Sequence, residues 1–112
     1  MESKELEKSK AYCIVEILEY LPNSVLSRTI IKKLTGSIVV SSLDSGEGIS
    51  EKISPFDTFI QIIDGRADIE IDGESTKLMT GDGIIVPAHR PNSIKANERF
   101  KMISTVIKSG YE

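Results

Sequence analysis

The chain has 112 residues, 39% hydrophobic and 28% charged, with a formal net charge of −3. That length fits one domain around one core, and the balance is that of a folded, soluble chain and not of a disordered one. No stripe of Lys or Arg supports nucleic-acid binding, no apolar stretch is long enough to span a bilayer, and the mixed charges of residues 1–8 lack the apolar segment of a secretory signal.

In chain order, residues 1–10 read as a flexible polar tail and residues 11–112 as a single domain. The stretch from Ala11 to Leu21 suits a helical turn or a first strand, and Pro22-Asn23 ends it. Its Cys13 is the sole cysteine, so no internal disulfide forms, and a reducing compartment, the cytoplasm, is expected. From there on, short runs rich in Ile, Val, Thr and Phe alternate with breaks containing glycine. The runs cover 25–34, 37–43, 58–63, 66–71, 76–79, 83–87, 92–96 and 99–107. The breaks are Thr35-Gly36, Ser45-Gly46-Glu47-Gly48, Asp64-Gly65, Asp72-Gly73 and Gly81-Asp82. Asp-Gly between β-branched residues is a hairpin signal, because glycine accepts the positive φ that the turn needs. Many short strands at this spacing predict an all-β sandwich or barrel.

Alternation gives side-chain direction. Ala67, Ile69 and Ile71 point inward, with Arg66, Asp68 and Glu70 toward water. The runs 58–63 and 100–107 are apolar on both faces, so their outer face needs a cover. A partner subunit in a homodimer is expected to supply it, with the N-terminal segment as the alternative.

Two stretches carry a family resemblance. Gly46 through Gly65 and Gly81 through Asn92 resemble the two motifs of the cupin superfamily, G-x5-H-x-H-x3-E-x6-G and G-x5-P-x-G-x2-H-x3-N. Gly46, Gly65, Gly81 and Pro87 fall in place. The resemblance covers roughly residues 37–107 and implies a jelly-roll barrel, a double-stranded β-helix, behind a short irregular or helical N-terminal segment. In the family three histidines and a glutamate hold a divalent metal inside the barrel. Those positions fall here on Lys52, Ser54, Asn92 and Thr58, and the motif's closing asparagine falls on Ala96.

Hydroxyls and a carboxamide are weak donors for a first-row metal, and an ammonium has no lone pair. A divalent ion about 5 Å from the Lys52 ammonium is repelled by roughly 6 kcal/mol at an effective dielectric near 20. No metal and no cofactor are therefore expected. A shifted register would turn Glu51 and Ile53 inward instead and bring Glu51 and Asp57 together for an oxygen-loving ion, but Ile53 in a ligand slot opposes it.

A barrel interior with few polar groups in an apolar wall is the usual form of a small-molecule site. The expected ligand-binding residues are Lys52, Ser54, Thr58, Ile60, Asn92, Ile94 and Met102, with Ile62 and Ser104 as further wall. Lys52 gives a lean toward a small anion. The competing view is that these groups satisfy one another in a closed core. No catalytic residue is expected: Lys52 has no carboxylate beside it, and the lone His89 reads as a solvated turn residue. The expected function is non-catalytic binding or sensing of a small molecule. The alternatives are a cupin enzyme, either a metal-free isomerase or lyase or a metal-dependent oxygenase with other ligands, and a structural interaction module.

Overall fold

The computed structural model describes residues 5–110. One turn of 3-10 helix, Ile14–Glu16, precedes β1 (Val25–Lys33), β2 (Gly36–Leu43), β3 (Gly48–Lys52), β4 (Thr58–Ile71), β5 (Glu74–Met79), β6 (Gly83–Val86), β7 (Asn92–Lys95) and β8 (Phe100–Ile107). Every pairing is antiparallel, in the order β1-β2-β8-β4-β7-β3, with β5 and β6 also on β4. The sheet curls round one core of Leu43, Ile60, Ile62, Ala67, Ile69, Leu78, Val86, Ile94, Ala96, Phe100 and Met102. This is the all-β jelly-roll barrel that the sequence led us to expect.

Ile71 and Glu74 pair across the Asp72-Gly73 turn, where φ is 53° and 84°. Two successive positive φ values match the right-handed twist of the flanking strands, so this Asp-Gly does close a hairpin. Asp64-Gly65 does not. β4 runs through it without a break: Thr58–Gln61 pair with β6, and Arg66–Ile71 pair with β5. The register against β8 slips between Ile62 and Asp64, the mark of a bulge that bends a strand. Gly65 sits there with φ 87°, and a Cβ on it would lie 2.3 Å from the Arg99 carbonyl oxygen. The glycine is needed for a bend and a close approach, not for a turn.

The strand runs read from the sequence omit β3. Its residues Gly-Ile-Ser-Glu-Lys offer one apolar side chain, and it pairs only with β7 at an edge. A polar edge strand resists pairing with other chains, and the same polarity hides it from a hydrophobicity reading.

The N-terminal segment packs on the outer face of β2, β4 and β8. Ser42 Oγ donates to the Glu19 carbonyl at 2.9 Å, and the buried Lys101 ammonium donates to the Val15 carbonyl. Tyr20 donates to Asp64 Oδ2 at 2.6 Å, and its ring contacts the Arg99 guanidinium at 4.7 Å and the Lys101 ammonium at 4.9 Å. Val40, on that outer face, is fully buried. Farther along, Phe59, Ile85 and Ile107 stay exposed, so the segment covers only one end of the face. The expected tail falls partly on residues 1–4, outside the described residues. Within residues 5–10, Leu6 N donates to the Ile30 carbonyl at 3.1 Å and Glu5 accepts from Lys32 N at 2.7 Å.

Candidate functional site

The loops before β4 and after β6 are tied to each other. His89 N donates to the Ser54 carbonyl at 2.7 Å, and Ala88 N donates to Asp57 Oδ1 at 2.8 Å. Ser54 Oγ accepts from Phe56 N at 3.2 Å. These bonds frame one end of the barrel. Beneath them lies a cavity of about 130 Å³, open at that end.

All seven expected residues line it. Lys52 and Ser54 stand at the rim, with Thr58 and Ile60 following on β4, Asn92 and Ile94 on β7, and Met102 on β8. Ser104 joins them, while Ile62 is buried in the core and does not reach the cavity. Phe56, Val86 and Val106 also line it, and the sequence reading had missed them. A signal existed for Val106, which follows Ser104 by two on β8, whereas Phe56 lies in the loop before β4 and Val86 comes to the cavity as the cross-strand partner of Thr58. Strand alternation carried one step farther reaches only Val106.

Facing direction across 52–60 settles the register. Lys52, Ser54, Phe56, Thr58 and Ile60 all face the cavity, whereas Ile53 is 64% exposed and Glu51 is exposed. The shifted register with Glu51 and Ile53 inward is not the one adopted. Glu51, Asp57 and His89 do not gather, and among the described residues no group of three or more His, Cys, Asp or Glu side chains is placed to hold a metal ion. The polar groups that do face the cavity are an ammonium, three hydroxyls and a carboxamide. That donor set does not fit a divalent first-row metal, so no chemistry is derived through one.

The polar residues differ in how they are held. Asn92 is 4% exposed, and its amide nitrogen donates to the Lys52 and Arg90 carbonyls, each at 3.3 Å. Lys52 is its Cα partner across the β3–β7 pairing and is exposed. Thr58 and Ser104 line the cavity together with the apolar Ile60, Val86, Ile94, Met102 and Val106. His89 is exposed, with φ 64° in the left-handed region. The motif carries glycine at this position, and His89 adopts the left-handed backbone that glycine accepts most easily.

A curled antiparallel sheet with a cavity at one end defines the class of the fold, a jelly-roll β-barrel. No family model matches the sequence. A conserved protein of unknown function from Streptococcus pyogenes is 32% identical, with a TM-score of 0.89 over 98% of this chain and 97% of its own. A cupin superfamily protein from Desulfitobacterium hafniense is 28% identical, with a TM-score of 0.88 over 97% of this chain and all of its own. These likenesses show the cupin fold for this chain. A curated relative, the polyketide synthase CurC of Streptomyces cyaneus, is 25% identical over 102 residues, and the chain spans 66% of that relative's length.

Proposed function

We propose that this cupin binds or senses a small molecule in its barrel without transforming it. The observation that carries the reading is the open cavity of about 130 Å³ inside the barrel, apolar in most of its wall, with its few polar groups at and below the rim. Convergent polar groups in an apolar wall fix a ligand's orientation. A core that satisfied itself would have closed over this space. For comparison, an apolar cavity of about 150 Å³ accommodates a benzene-sized guest.

The enzyme reading has less support. Catalysis of proton transfer or covalent attack needs a nucleophile or base held by a partner. Lys52 stands exposed at the rim, with its backbone rather than its ammonium engaged by Asn92. Lys52 instead favours a ligand with a negative end, and the apolar floor favours a short hydrocarbon body. The expected homodimer belongs to the same proposal, with the exposed Phe59, Ile85 and Ile107 as the face that a second copy covers. The proposed compartment is the cytoplasm.

Thermal unfolding in the presence of isocaproate, a short branched carboxylate, tests the binding reading. A ligand that binds only the folded state raises Tm with its concentration. The expected result is a saturable rise that shrinks in Lys52→Met. A Tm that stays flat across a panel of short-chain carboxylates contradicts the reading.

A further inference from the structure

Asn92 is the most constrained polar group in the cavity wall. Both of its amide bonds go to carbonyl oxygens, of Lys52 and Arg90. Carbonyls only accept, so the nitrogen must face them and the carboxamide oxygen must face away. No hydrogen bond to that oxygen is made among the described residues. No side-chain nitrogen or oxygen sealed from solvent lacks a partner. The Asn92 oxygen is therefore not sealed from solvent, and Asn92 lines the cavity, so a ligand there can donate to it. A partly desolvated acceptor without a partner is costly, and a ligand donor relieves that cost.

Lys52 is paired directly with Asn92 and lines the same rim. As cross-strand partners that both line the cavity, the Lys52 side chain and the Asn92 carboxamide share one face of the pairing. A ligand that satisfies both carries a hydrogen-bond donor and an anionic group on adjacent atoms. We infer that the site recognises an α-hydroxy carboxylate with a short branched hydrocarbon chain, the hydroxyl donating to Asn92 Oδ1 and the carboxylate facing Lys52. The chain then lies against Ile60, Val86, Ile94, Met102 and Val106. An α-amino acid also offers a donor beside a carboxylate. Its ammonium would, however, sit close to the Lys52 charge and leave water for one neutral acceptor, which disfavours it. Fully ionised phosphate has no donor for Asn92. The inference rests on the binding reading above and names the ligand class for that site.

The test is an NMR titration of the wild-type chain with α-hydroxyisocaproate, isocaproate and leucine. The hydroxy acid is expected to bind at least about tenfold more tightly than isocaproate, the size of one added hydrogen bond to a waiting partner. The Asn92 side-chain amide signals should shift with the hydroxy acid and not with isocaproate. In Asn92→Leu the two acids should bind alike. That variant also removes two rim bonds and can unfold the rim, so the wild-type amide signals carry the test by themselves. Equal affinity of the two acids in the wild type overturns the inference and leaves the binding reading standing. Leucine binding more tightly than the hydroxy acid also overturns it. No binding by any of the three overturns the inference and the binding reading together.

Discussion

The side-chain amide of Asn92 donates to the main-chain oxygen of Lys52, 3.3 Å away across the pairing of β3 with β7. Lys52 ends the polar edge strand, and Asn92 begins the strand that continues the barrel. The bond draws the edge onto the barrel and holds a cation and a carboxamide at one rim. The rim of the proposed site is tied by this contact between residues 40 apart in sequence.

Replacing Lys52 with Met should separate binding from folding. The side chain is exposed, and the bond from Asn92 reaches the Lys52 backbone oxygen and not its side chain. The stability change should stay within about 0.5 kcal/mol, as for most surface substitutions. Affinity for a carboxylate should fall roughly fivefold to tenfold, the loss of a partly solvated charge pair. Urea unfolding and calorimetric titration on the same preparation read both. Unchanged affinity would remove Lys52 from the site.

Gly65→Ala should destabilise the fold by about 3 kcal/mol, combining the left-handed backbone penalty with a core clash. The added carbon would meet the Arg99 carbonyl at 2.3 Å, where β4 bends past the start of β8. Gly73→Ala supplies the contrast, since a Cβ there meets nothing within 4 Å and only its φ of 84° opposes it. A loss about 1–2 kcal/mol smaller is expected for Gly73→Ala. Equal losses in urea unfolding would mean that the close approach at Gly65 does not matter.

Tyr20 gives the clamp on the outer face a pH signature. Burial first, then the hydrogen bond to Asp64 and its charge, push the Tyr20 phenol well above its ordinary value, with Arg99 opposing. A raised folded value means that the fold prefers the neutral phenol. The contribution is therefore fully present below the unfolded phenol value of about 10 and is lost as pH rises through the folded value above it. The stability difference between wild type and Tyr20→Phe should hold near about 1 kcal/mol at neutral pH, the worth of one hydrogen bond. It should shrink progressively above about pH 10. A difference that stays constant into strong alkali contradicts this assignment.

The proposed dimer is read by sedimentation. Phe59 and Ile85 are Cα partners on the outer face and are 39% and 63% exposed. Ile85→Lys should produce a monomer without loss of fold, because it adds charge where only a second copy would bury it. A wild-type chain that stays monomeric at high concentration refutes the dimer.

Sequence alternation went a long way with the barrel interior. In a strand, two residues at an interval of two share a face, which assigns Thr58 and Ile60 on β4; between Lys52 and Thr58 the chain is a loop that happens to keep the same alternation. The same rule reaches Val106 on β8, whereas Val86 faces the cavity through its pairing with Thr58, which only folding supplies. Other features were not legible. Asp64-Gly65 and Asp72-Gly73 are identical dipeptides, yet one bends a continuous strand and the other closes a hairpin. What separates them is a carbonyl from Arg99, far along the chain, and local propensity carries no trace of it. β3 was hidden because an edge strand has little reason to be apolar. The orientation of the Asn92 carboxamide depends on two carbonyls brought to it by folding, one of them from Lys52, so its type was readable but its direction was not.

The central claim is that the barrel interior is a ligand cavity and not a filled core. Methyl NMR during titration with α-hydroxyisocaproate tests it most directly, with Met102, Ile60 and Ile94 as reporters inside and the exposed Ile85 outside. Saturable shifts of the three inner methyls, with Ile85 unmoved, are the expected result. Inner methyls that stay fixed at millimolar ligand, or shifts confined to Ile85, would contradict it.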